Sequence, residues 1–365
     1  MAFLTSSQLF TFIMESTPGQ YNPAVSATDV NIRFRDVTFN TTVERDDENS
    51  KYQTGTWFGS DESIIGKKLS TASAKIKMAP GEYTPAAITS GAPVHKLNYG
   101  DLLRNCGLKE IGVGTSATDD SAGIYIYYPD QSEAQSTASY SQIVFDAESA
   151  TYQVSPMAGA MSNYTLAAEG VAQPWTLTMD IQGKAENVFN ATSGVAKLAE
   201  QDIMRTVSDA LRNTTVRLTN LLTTSATEVC VTSISCESGN VINQIECSNT
   251  ESGINSYIIT EINPVFTIDP LLKTLADFDW WSSVSTETFY KVEIDSEFIH
   301  IYIPRAQINS NSIADANGFL RNTINLRCLI NIDNDLPAWL PISAAPVNRS
   351  SIPYYLGIEE TLARY

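Results

Sequence analysis

The chain has 365 residues, of which 41 are acidic and 23 basic, and its formal net charge is -18. This length suffices for two ordinary domains or for one large all-β domain. Binding to a nucleic-acid backbone needs clustered Lys and Arg, and no basic run occurs, so the composition argues against a nucleic-acid-binding protein. A surface of this charge would instead repel polyanions.

The amino-terminal residues 1–20 are mildly apolar but lack a basic segment and a long apolar core, so they do not predict a signal peptide. No window reaches about eighteen consecutive apolar residues, so no membrane-spanning helix and no membrane partner are expected. The five cysteines have no CxxC spacing and are predicted to be free thiols. Cys230 and Cys236 are predicted to share the buried face of one strand.

Most of the chain has the apolar–polar alternation of β-strands, bounded by Gly, Pro, Asn or Asp. In the first such segment, which begins at Val30, Ile32, Phe34 and Asp36 are expected on one face. The other predicted strands are 122–129, 174–183, 255–262, 298–304 and 323–332.

Three segments have helical patterns. The first lies in "HKLNYGDLLRNCGLKE" (95–110), where Leu102, Leu103 and Cys106 form an apolar set and Gly107 marks the end. The second is 196–213, whose apolar stripe is weak. The third is 269–281, with Leu271, Leu275 and Phe278 at i, i+4 and i+7 and with Asp269-Pro270 as its start.

The two halves of the sequence repeat one order of elements: strand, polar loop, strand, helix, hairpins, strand. We therefore predict a mainly β protein built from two tandem β-sandwich or barrel units, each with a short packing helix. The predicted boundaries are 1–195 for the first unit, 196–227 for a partly helical connection and 228–365 for the second unit. In this interpretation Leu102, Leu103, Cys106, Leu271 and Leu275 pack the two helices onto the barrels.

Catalytic and metal-binding motifs are not found in the sequence. His95 and Cys106 form the sole candidate Cys-His pair, but their spacing matches no known nucleophile arrangement, and a core thiol is the alternative. His300 is expected to be a packed or interface histidine. The acidic clusters 44–49 and 331–335 lack the spacing of a calcium loop or a glycosidase pair, so solvated turns are predicted. The sequence predicts a protein that is not an enzyme and needs no cofactor.

The segment "YGDLLRNCGLKE" resembles a signature of the major tail proteins, the tail tube subunits of long-tailed bacteriophages. Further segments are similar to this family and occur in the same order. They are "LFTFIMESTPGQYNP", "VERDDENSKYQTGTW", "GKKLSTASAKIKM", "AAEGVAQPWTLTMDIQG" and the stretch from "VCVTSISC" to "TIDP". The resemblance covers scattered pieces of residues 1–270.

This resemblance implies a structural virion protein, assembled in the host cytoplasm, that polymerises into stacked rings around a DNA channel with an acidic lumen. It implies a loop that reaches the neighbouring ring, containing Arg45, Asp46, Asp47, Glu48 and Tyr52. It also implies contacts with the tape measure, tail terminator and distal tail proteins. A chain with two units would form a ring of three copies, which we favour over six.

Two other classes of protein remain as alternatives. One is another β-rich virion protein, such as a tail-tip, decoration or receptor-binding protein. The other is a secreted carbohydrate-active or carbohydrate-binding sandwich, for which the sequence offers neither a signal peptide nor a suitable carboxylate pair.

Overall fold

The computed structural model describes residues 8–22, 34–46, 64–78, 100–113, 124–129, 135–145, 152–171, 173–191, 211, 213–271, 279–316, 319–340, 346 and 348–359. These residues contain nineteen β-strands and two short α-helices, so the predicted mainly β class is confirmed. Neither helix is long and apolar enough to cross a lipid bilayer, within the residues described. We refer to residues 8–191 as the first half and to residues 211–359 as the second half.

The strands of the first half are Gln8–Met14 (β1), Arg35–Asp46 (β2), Ile64–Lys77 (β3), Leu108–Val113 (β4), Ile124–Pro129 (β5), Ala138–Phe145 (β6), Tyr152–Ala168 (β7), Thr176–Ala185 (β8) and Phe189–Ala191 (β9). Those of the second half are Thr215–Asn220 (β10), Ala226–Val229 (β11), Val231–Glu237 (β12), Asn240–Glu246 (β13), Ile254–Ile262 (β14), Val265–Pro270 (β15), Phe289–Asp295 (β16), Ile299–Ala316 (β17), Phe319–Cys328 (β18) and Tyr355–Glu359 (β19). The helices are Gly100–Asn105 (α1) and Trp280–Ser285 (α2).

The first half is a sandwich of two antiparallel sheets that share the long strand β7. The amino-terminal part of β7 pairs with β6, and β6 pairs with β1. Its carboxyl-terminal part pairs with β8, which continues through β3 to β2. A bulge between Ala158 and Met161 interrupts the β7–β8 register. Because bulges bend a strand, β7 can pass from one sheet to the other at this point.

The second half repeats this pairing strand by strand. The long strand β17 pairs with β16 at its amino-terminal part and with β18 at its carboxyl-terminal part. From these, β16 continues to β10, and β18 continues through β15 to β12. A bulge between Ile308 and Ser310 takes the place of the β7 bulge. The helices also correspond, since α1 follows β3 and α2 follows β15.

One antiparallel junction joins the halves, because β12 pairs with the carboxyl-terminal part of β7, from Ile234 opposite Ala168 to Glu237 opposite Thr165. The result is a continuous run of eight strands, β2-β3-β8-β7-β12-β15-β18-β17, which we call the long sheet. Among the described strands no pairing returns to its start, so the sheet is open and does not close into a barrel.

The main hydrophobic core extends through both halves. In the first half Phe10 of β1 packs across the sandwich against Phe39 of β2, with their ring centroids 6.3 Å apart. In the second half the buried side chains of Val292 on β16 and Phe266 on β15 belong to the same cluster. The alternation of apolar residues along the strands produces this core, because alternate side chains point to the same face of a strand.

Helix α1 confirms the sequence prediction for the Cys-Gly segment. Leu102, Leu103 and Cys106 have no exposed surface and belong to the main core. Gly107 follows with φ +81°, the left-handed conformation that ends a helix at little cost for glycine. These three residues therefore lie within the main core of the protein.

The helix predicted for 269–281 is wrong at both ends. Strand β15 extends to Pro270, and Leu271 forms an antiparallel bridge to Arg321 with its side chain 37% exposed, so Leu271 does not pack a helix onto the core. Helix α2 begins only at Trp280, where the Asp279 carboxylate accepts hydrogen bonds from the amides of Trp281 and Ser282. Leu275 and Phe278 lie outside the described residues.

Three smaller predictions also need correction. Asp36 is not on the face of Phe34, because it has φ +48° in a bulge that shifts the β2–β3 register. Cys230 is exposed, because it lies between β11 and β12 next to a register shift, whereas Cys236 is buried as predicted. All five cysteines are free thiols. The proposed connection 196–227 contains β10, which pairs with β16, and its predicted helix lies almost entirely outside the described residues.

The last strand, β19, ties the halves together a second time. It pairs with the beginning of β17 on one edge and with β5 of the first half on the other. His300 of β17 lies at this joint with its side chain 14% exposed; its Nδ1 is 3.2 Å from Asp295 Oδ1. Its Nε2 is 3.1 Å from Glu359 Oε1, and the two groups form an ion pair when the imidazole is protonated.

We expect the His300 joint to strengthen in acid. Burial lowers the pKa of His300, but the hydrogen bond with Asp295 and the charge of Glu359 outweigh burial, so the pKa is raised above 6.5. A raised pKa contributes stability that is present below the unfolded value and is lost as the pH rises through the folded value. The stability advantage of the native protein over His300→Gln should thus be larger at about pH 5.5 than at about pH 8. Urea unfolding of both proteins at the two pH values measures it; an equal advantage would contradict the prediction.

Candidate functional site

The long sheet ends at β2, whose second edge has no strand partner among the described residues. Strand β2 pairs with β3 along its whole length, from Arg35 opposite Lys75 to Asp46 opposite Ile64. Residues 40–44 are exposed on both faces of the strand. An exposed edge of this length presents a row of backbone N–H and C=O groups to which another strand can pair.

The opposite end of the long sheet is the carboxyl-terminal part of β17. Strand β16 covers one edge of β17 only as far as Gln307, which faces Phe289. Strand β18 covers the other edge as far as Ala316. Residues 308–316 therefore have no strand on the β16 side, within the part of the chain that the structure describes.

The internal junction shows how such edges fit together. The part of β7 that extends past its pairing with β6 pairs with β12. Strand β12 has the same position in the second half as β2 has in the first half. Aligning the two halves on their bulges matches Thr165–Ala167 of β7 with residues 314–316 and matches Ser235–Glu237 of β12 with residues 40–42. The edges of β2 and β17 are thus the two sides of the same kind of junction, one at each end of the chain.

Burial at matching positions supports this interpretation. Tyr164 of β7, next to the internal junction, is 2% exposed and hydrogen-bonds to Tyr354. Ile313 is the matching residue of β17 and is 44% exposed. Helix α2 packs along β17 and exposes Trp281 by 51% and Val284 by 38%. Apolar surface of this kind beside an unpaired edge is typical of a protein interface.

One face of the long sheet covers the core, and the other is open except where the hairpin of β13 and β14 packs on β7 and β8. The open face consists mainly of hydroxyl and amide side chains: Thr38, Asn40, Thr42, Thr71, Ser73, Asn163, Thr165, Thr178, Gln182, Ser235, Thr267, Ser310, Thr323 and Asn325. Across three strands they form a ladder in which Thr267 donates to Asn325 at 2.9 Å and Asn325 donates to Ser310 at 2.8 Å.

Charges on this open face are few and balanced. The described charged residues on the rows from Lys77 to Arg321 are Lys75, Lys77, Arg321 and Arg327 against Asp36, Asp180, Glu237 and Asp269, and Asp36 pairs with Lys75 at 3.9 Å. The net charge of -18 therefore resides elsewhere on the chain.

The predicted inter-ring loop divides between described and undescribed residues. Arg45 and Asp46 are the last residues of β2 and pair with Ile65 and Ile64 of β3, so they belong to a strand and not to a loop. Asp47, Glu48 and Tyr52 lie outside the described residues.

Cys106 has the properties of a structural thiol. It is completely buried, and burial raises its pKa far above the usual value for cysteine, so the reactive thiolate is not accessible near neutral pH. His95 lies outside the described residues. In the part of the chain that is described, no group of three or more His, Cys, Asp or Glu residues could hold a metal ion.

Glu15 is a structural residue that sequence reasoning missed. Its carboxylate accepts four hydrogen bonds, from the amides of Gly19 and Gly159 at 2.7 Å each, from Thr137 at 2.6 Å and from Ser139 at 2.8 Å. Gly159 lies in the bulge at which β7 changes sheets. Three of these partners are more than 120 residues away in sequence, so no local pattern could reveal them.

Comparison with known proteins gives no relative: no protein-family model matches the chain, and no curated protein matches its sequence.

Proposed function

We propose that the chain is a structural subunit that polymerises edge to edge into a closed ring, with β2 of one copy pairing with the free edge of β17 in the next. Stacked rings would form a tube through which DNA passes without specific binding, as the resemblance to phage major tail proteins implies. The protein would then belong to a virion tail and act without catalysis. Its partners at the ends of the tube would be the tape measure, tail terminator and distal tail proteins.

A single observation carries this proposal: the chain contains one complete strand junction, and it also carries two free edges that could form a second junction of the same kind between copies. Strands β12 and β7 pair within the chain, and the matching strands β2 and β17 stand at opposite ends of the same sheet. The matched register sets Asn40 opposite Ala316 and Thr42 opposite Ala314. Because each copy offers both edges, the contact is head-to-tail, and such contacts form rings when the rotation closes.

A ring of three copies would have six equivalent sheet units, since each chain supplies two. We favour three copies over six for this reason. The open face of the long sheet is our candidate for the channel wall. Its hydroxyl and amide groups and balanced charges would give DNA neither a cationic site to bind nor a strong field to cross.

Negative-stain electron microscopy of the purified chain, before and after concentration, tests the proposal. We expect rings with a central pore, or stacks of them, and three-fold top views. A protein that stays monomeric at every concentration would overturn the proposal and favour a tail-tip, decoration or receptor-binding protein. Six-fold views in which a ring has the mass of six chains would refute the three-copy ring alone.

A further inference from the structure

The connection between β12 and β15 covers a surface of the first half. It forms the two-stranded hairpin β13–β14, which packs on β7 and β8 of the long sheet near the bend of β7. Its apolar residues Ile254, Tyr257 and Ile259 are buried with Met161 of β7 in a cluster of their own. A packed hairpin of this kind needs a partner surface, because isolated two-stranded hairpins are marginally stable in water.

Polar contacts fix this hairpin at several points. The backbone of Ile259 exchanges two hydrogen bonds of 2.7 Å with the side chain of Gln135, just before β6. Asn240 donates to the carbonyls of Cys106 and Ser162 at 2.9 and 3.1 Å. At the start of β3 the amide of Lys68 donates to the Ser252 carbonyl at 3.1 Å.

Salt bridges at the start of β3 add to the attachment. Lys67 pairs with Glu246 and Lys68 pairs with Glu251, each at 2.5 Å. The hairpin thus brings carboxylates to basic side chains of the first half. These pairs are partly exposed, so each adds little stability, and their main effect is on register.

The matching surface of the second half is an open groove of about 1090 Å³. Its walls are the counterparts of the covered surface: Val265 of β15 matches Leu69 of β3, which the hairpin covers, and Asn309 lies in the β17 bulge. Phe289 begins β16, the counterpart of β6, and Arg327 lies near the end of β18. The surface that the β13–β14 hairpin covers in the first half therefore corresponds to an uncovered groove in the second half.

The groove has the chemistry of a protein contact. Ile330 and Ile332 line it and are 58% and 55% exposed. Arg305 and Arg327 also line it, against Glu261 as the acidic lining residue. No described carboxylate lies within ion-pair distance of either arginine. The groove therefore favours an occupant with apolar and acidic side chains.

We propose that the occupant is the β2–β3 connection, residues 47–63, of a neighbouring copy in the same ring. This inference rests on the proposed function, since it requires β2 of that copy on the free edge of β17. The connection leaves β2 where the β13–β14 connection leaves β12, so the same path would carry it over the β17 bend into the groove. The family resemblance would send this segment to the next ring instead.

The composition and length of residues 47–63 match the groove. The segment carries the aromatic residues Tyr52, Trp57 and Phe58, and its acids Asp47, Glu48, Asp61 and Glu62 outnumber its one basic residue, Lys51. Half of its seventeen residues in extended form reach roughly 25 Å, which suffices to cross two or three neighbouring strands.

A photo-crosslinking experiment tests the proposal. Chains with p-benzoylphenylalanine at Trp57 are mixed with ¹⁵N-labelled native chains, assembled, and single rings are separated from stacks before irradiation. We expect crosslinks from the probe to ¹⁵N-labelled peptides that contain Arg327 to Ile332. The same probe at Leu222, which is 76% exposed in the β10–β11 turn, is the control and should give none to these peptides.

The other outcomes separate this inference from the proposed function. Crosslinks that occur only in stacks, only within one chain or only to other surfaces would overturn the inference while the ring proposal stands. A chain that forms no rings at any concentration would overturn both. As a second measurement, Ile330→Asp should raise the concentration needed for half assembly about tenfold or more, because it replaces apolar contact surface with a carboxylate that repels the acidic residues of segment 47–63. Leu222→Asp should leave that concentration unchanged, and equal behaviour of the two variants would also contradict the inference.

Discussion

We expect a proline on the outer edge of β2 to abolish ring assembly while the monomer stays folded. Consecutive residues of an antiparallel strand direct their N–H groups to opposite edges. Of the neighbouring variants Thr41→Pro and Thr42→Pro, one therefore removes an N–H that faces the next copy, and the other removes an N–H bonded to β3. Proline is tolerated at the edge of a sheet when its missing N–H faces solvent.

The two variants should behave differently in both assays. The outward-facing variant should form no rings at concentrations at which the native chain assembles, with its urea unfolding midpoint nearly unchanged. The inward-facing variant should lose about 1–3 kcal/mol of stability, because a ladder hydrogen bond is lost and its acceptor stays unpaired. Sedimentation velocity measures assembly, and circular dichroism in urea measures stability.

A matched control exists within the chain, because Cys236 and Glu237 of β12 are the counterparts of Thr41 and Thr42. Both edges of β12 are already paired, with β15 and with β7. Proline at either position should therefore destabilise the monomer itself. Normal assembly of both β2 variants would show that β2 is not the contact edge.

The sequence predicts the local features of this fold well, because they depend on short-range periodicity. The strand alternation of 122–129 and 174–183 corresponds to β5 and β8 within two residues at each end. The helix before Cys106 is predicted from the apolar residues Leu102 and Leu103 and from Gly107, where a helix would end. In the structure both leucines are buried and Gly107 has a positive φ.

The failure at 269–281 has a definite physical cause. Leu271, Leu275 and Phe278 have helical spacing, but Phe266 and Ile268 just before them have strand spacing. Both are completely buried, and β15 pairs on one edge with β12 and on the other with β18. The strand therefore continues through Asp269-Pro270, and the helix begins only where Asp279 can cap it. Tertiary pairing overrides the local helical pattern here.

The candidate site could not be predicted in the same way, because it is defined by pairings between distant residues. The β12–β7 junction joins positions about 70 residues apart, from Glu237 opposite Thr165 to Ile234 opposite Ala168. Whether a strand edge is free depends on where all the other strands lie. The sequence of β2 alone therefore does not indicate which of its two edges is covered. The repeated order of elements in the two halves of the sequence was the one available signal. The matching strand pairings of the two halves give this repeat a structural basis.

The balanced open face also changes the expected role of the net charge. The resemblance implies an acidic lumen, whereas the described open face has mostly hydroxyl and amide groups with charges of both signs. If this face lines the channel, the wall avoids holding DNA because its cations are matched by carboxylates, and not because the wall repels DNA. The acidic residues of other surfaces would then act between tubes and on solubility.

We expect Glu15→Ala to lower the free energy of unfolding by about 3 kcal/mol or more, because it leaves two buried amides and two hydroxyls without an acceptor. The carboxylate joins the end of β1, the turn at Gly19, the start of β6 and the bulge at Gly159. Gly159 has φ +60°, and a Cβ there would lie 2.9 Å from Ser256 Cα of the hairpin, so the bend cannot relax by moving outward.

Two further variants distinguish this network from a general effect of charge. Glu169→Ala removes an exposed carboxylate directly after the end of β7 and should change the free energy of unfolding by less than about 0.5 kcal/mol. Glu15→Gln keeps the shape but sets an amide N–H against donors on one side, so its loss should be intermediate. Urea unfolding of the three variants ranks them. If Glu15→Ala lowers the free energy of unfolding no more than Glu169→Ala does, the packing of the hairpin alone stabilises the bend of β7. The Glu15 carboxylate would then not contribute to it.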